Sequence, residues 1–230
     1  ALSALIAWIV GQPTLKLKGH YLAVATLGFG IIAHIVFNEW AVMTSGPSGI
    51  VSIPALDFFK REISGDLEYY YLFWAFAILC VLIAINVVRS RAGRALRALH
   101  GSEVAAAAMG VNVSGYKVRV FVLSAAFAGL AGGFYAHYVS FISPTGFGLS
   151  YSILVVTMII IGGAESVWGA VIGAALLTAL PEFLRGAKDY DVIIYGFILV
   201  VVVIFMPAGL LGGGKLLTGK IRSALSKRAG

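Results

Sequence analysis

Charged residues are what this 230-residue sequence has least of. Only 12% of its positions are Asp, Glu, Lys or Arg, where a soluble domain carries roughly a quarter. With 60% hydrophobic residues and a mean hydropathy of +0.96, that scarcity excludes an ordinary water-soluble domain and implies an integral membrane chain. The missing charge is missing in blocks: none falls between Lys18 and Glu39, Glu68 and Arg89, Arg119 and Glu165, or Asp191 and Lys215. A spanning helix needs about 20 mostly apolar residues, so each gap has room for at least one. Cysteine is nearly absent as well. Cys80 is the only one, inside an apolar run, which excludes an intrachain disulfide and a cysteine-based metal site. No HExxH occurs, and every Asp and Glu lies in a loop or at the end of an apolar run. A proton-coupled carrier usually keeps an acid inside a span, so the second absence argues for energy supplied from outside the chain. No metal and no cofactor is expected.

An initiating Met is absent too. The sequence opens with "ALSALIAWIVG", and eleven residues at about 1.5 Å each cross roughly half of a hydrocarbon core. The expectation is a span cut short, with earlier spans missing; without a basic leader or a cleavage site it does not read as a signal peptide. The apolar pattern predicts an all-α, polytopic helix bundle of about seven spans in one domain, 1–230. These are the fragment Ala1–Gly11, then His20–Asn38, Tyr69–Val88, Val118–Val139, Leu149–Gly163, Trp168–Phe183 and Val192–Met206. "SFISPTGFGLS" supplies the turn that divides the gap after Arg119, with Pro144, Gly146 and Gly148 as breakers.

Loop charge gives the orientation. Between Arg89 and Arg119 stand six bases and one acid, Glu103, and the tail at 207–230 holds five bases and no acid. Both are expected in the cytoplasm. Glu39–Glu68 has two bases against five acids, and Glu182–Asp191 two against three, so both are expected outside. The net charge of +7 therefore reflects topology; no separate basic domain exists to suggest nucleic acid. Within the spans, Ala125, Gly129 and Gly133 fall four apart, as do Ala128, Gly132 and Ala136, and Gly169 and Gly173 form a GxxxG. Small residues at that interval let helix backbones approach closely in lipid.

The segment 89–117 holds the stretch "SEVAAAAMG". Ser102 is suited to cap a helix N-terminus, Glu103 complements the dipole, and Gly110 is a natural stop, so a helix is predicted over Glu103–Met109. Two turns are unstable alone in water, so the helix must be held by other contacts. It reads either as a docking element for another protein or as a capped turn lying on the membrane surface. The docking reading expects Ala106 and Ala107 to accept Arg without harm to the bundle.

"GRALRALHGSEVAAAAMGVNVSGYKVRVFVLSAAFAGLAGGFYA" resembles the central cytoplasmic segment and following span of the LivM-type permeases, the membrane subunits of branched-chain amino acid ABC importers. "GHYLAVATLGFGIIAHIVFNEW" with "TSGPSGI", "IIIGGAESVWGAVIGAAL" and "FMPAGLLG" agree, in order, over roughly Gln12–Leu211. The resemblance implies an alternating-access permease in a bacterial inner membrane. It further implies a second homologous permease subunit as a heterodimer partner, two cytoplasmic ABC ATPase subunits and an external substrate-binding protein. On that resemblance Ser102, Glu103, Val104, Ala105, Ala106, Ala107, Met109 and Gly110 form the helix that couples to the ATPase. The spacing departs from the importer motif: Glu103 precedes Gly110 by seven residues rather than six, and Val104 replaces the first alanine. Substrates other than branched-chain amino acids, such as urea or amides, stay open, as does a secondary transporter.

Two further patterns carry other readings. "GLLGGGKL" (Gly209–Leu216) fits a phosphate-binding loop, but Leu216 stands where Ser or Thr must hold Mg²⁺ and no α/β domain follows. ATP hydrolysis is therefore expected in a partner chain. An intramembrane protease using Ser150 with His137 would need hydrogen-bond reach, and Tyr151 after Ser150 departs from the rhomboid form; Ser150 reads better as a helix cap. Thr26, Gly30, His34 and Asn38 recur every fourth residue, a polar and small ridge that is either a substrate path or a helix contact. Ser45, Gly46, Pro47, Ser48 and Gly49, in the acid-rich outer loop, are expected to help receive the binding protein.

Overall fold

The computed structural model describes residues 1–17, 19–58, 61–63, 65–164 and 166–184. The expected last span Val192–Met206, the tail and the phosphate-loop-like stretch lie outside these residues. The chain divides into two compact units, Ala1–Leu149 and Ser150–Gly230.

In the first unit the helices are α1 (Leu2–Thr14), α2 (His20–Glu39), α3 (Ala41–Thr44), α4 (Asp66–Arg89), α5 (Arg91–Gly101), α6 (Glu103–Ala108) and α7 (Val113–Val139). α8 (Leu149–Gly162) and α9 (Val167–Leu184) follow. Among the described residues four stretches, namely α2, α4, α7 and Pro144–Gly162, are long and apolar enough to cross a membrane. Their large apolar side chains point outward: Val24, Ile32, Trp74, Leu82 and Val156 are all more than half exposed. A helix satisfies its own backbone, so it can turn such a surface to lipid. The chain is a polytopic helical membrane protein.

Two spans, α4 and α7, start at least three residues earlier than hydropathy alone suggests, and at α7 a side-chain cap fixes the start. Asn112 Oδ1 accepts the Gly115 N–H at 2.9 Å, so α7 begins at Val113 and carries Lys117 and Arg119 within it. α4 likewise opens on Asp66, three residues before the expected Tyr69. Ser150 lies inside the first turn of α8, which starts at Leu149; it is not the residue that precedes the helix, and the expected cap is corrected to a position further back.

α1 and α7 pack antiparallel. Gly129 meets Ser3, and a Cβ on Gly11 would sit 3.1 Å from Phe121, contacts eight residues apart on both helices (11 − 3 and 129 − 121). α4 and α7 are joined by an aromatic ladder: Phe76 and Phe134 rings are 4.9 Å apart, Phe73 and Tyr138 5.6 Å, Tyr69 and Tyr138 5.3 Å. Among the glycines of the small-residue ridges on α7, Gly129 meets Ser3, whereas Gly132 and Gly133 face open space. In the second unit the GxxxG does pack. Gly173 closes on Met158, and a Cβ on Gly169 would lie 2.6 Å from the Gly162 carbonyl oxygen, so α8 and α9 form a backbone-to-backbone hairpin.

Two short antiparallel ribbons lie outside the helices. β1 (Ile50–Val51) pairs with β4 (Phe141–Ile142), and β2 (Leu56–Phe58) pairs with β3 (Arg61–Ile63). The first ribbon joins the loop after α2 to the segment after α7. Both therefore lie at one end of the unit, and α5 and α6 at the other.

Candidate functional site

The basic end is built around α6. Ser90 caps α5 and Ser102 caps α6, each hydroxyl accepting an N–H three residues on, at 3.3 and 3.2 Å. Gly93 fits against the Val87 and Val88 carbonyls, which lets α5 fold back sharply from α4. α5 is not an apolar run, and hydropathy does not reveal it. It buries Gly93 and Leu99 and exposes Arg91, Arg94 and Arg97; that three- to four-residue alternation was the available signal.

α6 ends at Ala108, with Met109 as its C-cap, one residue short of the expected helix. Gly110 then takes φ +81°, its N–H bonds the Ala107 carbonyl at 3.0 Å, and the Val111 N–H bonds the Ala106 carbonyl at 3.0 Å. This Schellman closure needs a residue with no Cβ penalty in the left-handed region. Two anchors hold the helix to the bundle. Ala106 is 3% exposed, and Lys117 Nζ on α7 donates to Glu103 Oε1. Glu103 thus serves an internal ion pair as well as the helix dipole. The expectation that Ala106 accepts Arg is corrected: it is a packed position, because α6 turns that side toward its own bundle. Val104 and Met109 are 74% and 85% exposed, and Ser102, Ala105, Ala107, Ala108 and Gly110 are open as well.

The opposite end carries a cap on α2. Thr44 Oγ1 lies 2.6 and 2.8 Å from the Phe37 and Trp40 carbonyls and closes that helix. Ser45 and Gly46 follow with φ +57° and +58°, and Gly49 with φ +71°. Gly46 and Gly49 are buried, whereas Ser45, Pro47 and Ser48 are exposed. Gly49 passes against the Ile142 carbonyl, and Ser143 Oγ donates to the Pro47 carbonyl at 3.1 Å. Tyr69, 5% exposed, ties in the rest of the loop: its hydroxyl accepts from Leu56 N–H at 3.3 Å and donates to the His137 carbonyl at 3.4 Å. His137 Nδ1 is 2.8 Å from the Pro54 carbonyl, a bond that holds the imidazole to this loop. Ser143 and His137 were not legible as partners of this loop, since each lies more than eighty residues from its partner there, and Tyr69, next to the loop in sequence, carries no local pattern that marks it.

Under the cap lies a cavity of about 340 Å³ lined by Gly30, His34, Phe37, Ile142, Pro144 and Phe147 among others. That volume falls within the roughly 300–1,000 Å³ of small-molecule sites. The structure brings Gly30 and His34 of the expected ridge to this cavity and leaves the other two out. Thr26 turns its hydroxyl to the Leu22 and Ala23 carbonyls, 3.0 Å from each, and Asn38 offers its carbonyl beside Gly46. Among the described residues no group of three or more His, Cys, Asp or Glu could hold a metal ion.

A family model described as "Branched-chain amino acid transport system / permease component" matches residues 1–204. The chain belongs to this family. It is 32% identical over 232 residues to the high-affinity branched-chain amino acid transport system permease protein LivM of Salmonella typhimurium, covering 91% of this chain and 55% of that protein. LivM of Escherichia coli is 31% identical with the same coverage. LivH of Escherichia coli is 30% identical over 190 residues, 77% of this chain and 60% of that protein. The chain thus spans about half the length of the LivM proteins it matches. No solved structure matches it.

Proposed function

We propose that this chain is the permease part of an ATP-driven importer that moves branched-chain or related amino acids by alternating access. The observation that carries this is α6: a two-turn helix capped at both ends, anchored by Ala106 and the Glu103–Lys117 pair, and presenting Val104 and Met109 outward. Two exposed apolar side chains at the basic end of a membrane bundle have a use if a partner covers them. The partner in this reading is a cytoplasmic ATPase subunit that hydrolyses the ATP.

Similarity to both LivM and LivH supports a second permease subunit beside this one, and the printed names of those relatives support the substrate class. Gly30 and His34 belong to the path, entered through the cavity under the cap. Ser45, Pro47 and Ser48, all exposed in "TSGPSGI", receive an external binding protein, while Gly46 and Gly49 shape the turn from beneath. The basic end and the C-terminus face the cytoplasm of a bacterial inner membrane; the excess of Lys and Arg at both supports that orientation.

The test is paired, on the full-length protein in its complex. Met109→Arg is expected to leave the bundle folded, abolish copurification of an ATPase and stop leucine uptake into vesicles. Gly30→Leu is expected to keep the ATPase and still block uptake. Normal uptake with Met109→Arg would remove α6 from coupling, and normal uptake with Gly30→Leu would remove the cavity from the path.

A further inference from the structure

α1 ends and α7 begins side by side, and between them opens a cleft of about 450 Å³. Lys16, Asn112 and Ser114 are polar and stand at the helix ends, Gln12 and Arg119 lie about a turn further in, and Trp8 and Val122 lie deepest, forming with Val118 an apolar wall. Lys16 lies just past the last residue of α1, two turns beyond Trp8. No carboxylate lines the cleft. Among the described residues neither Lys16 nor Arg119 has an acidic partner, because the one nearby acid, Glu103, is held by Lys117. Tyr116 orients Arg119, whose guanidinium carbon is 5.6 Å from its ring centre, without neutralising it.

We propose that this cleft binds the headgroup and upper acyl chain of an anionic phospholipid. Two unneutralised cations facing one space ask for an anion. A soluble anion would leave the wall of Trp8, Val118 and Val122 bare, and a neutral lipid would leave both charges unmet. An amphiphile with a phosphate-bearing head answers both. The depth fits as well, since the uncharged run of α7 begins directly after Arg119, which sets Lys16 and Arg119 at the headgroup level. Basic recesses between spans on the cytoplasmic side are where acidic lipid heads are held. The choice of leaflet rests on the orientation proposed above; the class of ligand does not.

The experiment uses the full-length protein in detergent, titrated with phosphatidylglycerol, phosphatidylcholine or inorganic phosphate, with bound lipid counted by native mass spectrometry and the thermal midpoint recorded. Phosphatidylglycerol is expected to bind and raise the midpoint, and the other two to do neither. Lys16→Gln and Arg119→Gln should each weaken phosphatidylglycerol binding about fivefold, the value of one basic residue at a membrane surface. Arg94→Gln, on the exposed face of α5 and outside the cleft, should change nothing. Should Arg119→Gln fail to fold, Lys16→Gln, beyond the end of α1 and exposed, decides alone. Unchanged binding in Lys16→Gln, equal loss in Arg94→Gln, or equal stabilisation by phosphatidylcholine or phosphate overturns the site.

Discussion

Ala106 and Ala108 stand two residues apart in α6 and should answer substitution in opposite ways. Ala106 is 3% exposed, so Arg there must place a charge in a packed site where it has no partner, at a cost of several kcal/mol. Ala106→Arg is expected to detach α6 and lower the thermal midpoint of the protein. Ala108→Arg faces outward and should leave the midpoint alone while abolishing ATPase copurification. Equal midpoints for the two variants would show that Ala106 is no anchor. Gly49 is the corresponding position at the other end. Its φ of +71° with ψ 178° is a backbone region kept almost wholly for glycine and costs a side-chain-bearing residue about 1–3 kcal/mol, and a Cβ would also run into the Ile142 carbonyl. Gly49→Ala should therefore expose the β1–β4 ribbon, read as faster amide exchange at Ile142; unchanged exchange would mean the turn is not packed there.

At the scale of elements, close helix packing is selective among positions that look alike in sequence. Gly169 and Gly173 on α9 bring backbone against Gly162 and Met158 of α8, whereas Gly132 on α7 faces nothing within 4 Å. Gly173→Leu should thus separate the α8–α9 hairpin, with a loss of at least about 1–3 kcal/mol from overpacking, visible as a sharp drop in folded yield. Gly132→Leu should leave the stability of the chain unchanged. A drop in both would mean that Gly132 has a neighbour. α5 makes the same point for amphipathic elements. Its arginines count as loop charge by composition, yet the apolar positions between them place Gly93 and Leu99 inside.

For the whole molecule the expectation is sidedness. In a Cys80→Ser background, Met109→Cys at the basic end and Val42→Cys at the capped end, 85% and 97% exposed in the wild-type residues, should react with an impermeant maleimide from opposite sides of sealed vesicles. Labelling from one side would contradict the arrangement of the first unit. Spans were legible in the sequence because hydropathy, loop charge and caps act within a few residues of one another: α2, α7, α8 and α9 end within two residues of where the apolar runs stop. The signals at Ser102, Glu103 and Gly110 likewise predicted α6 to within one residue, since capping is local chemistry. What lies far apart along the chain was decided only by tertiary structure. The sequence could name Glu103 and Lys117 but not join them, and it set Thr26 and Asn38 on one ridge with Gly30 and His34 without showing that only the latter pair reaches a cavity. That cavity exists because β1 and β4, some ninety residues apart, close over α2. No local pattern records such a pairing: its free energy comes from contacts between segments distant in sequence, and any of several small or polar positions could have met them.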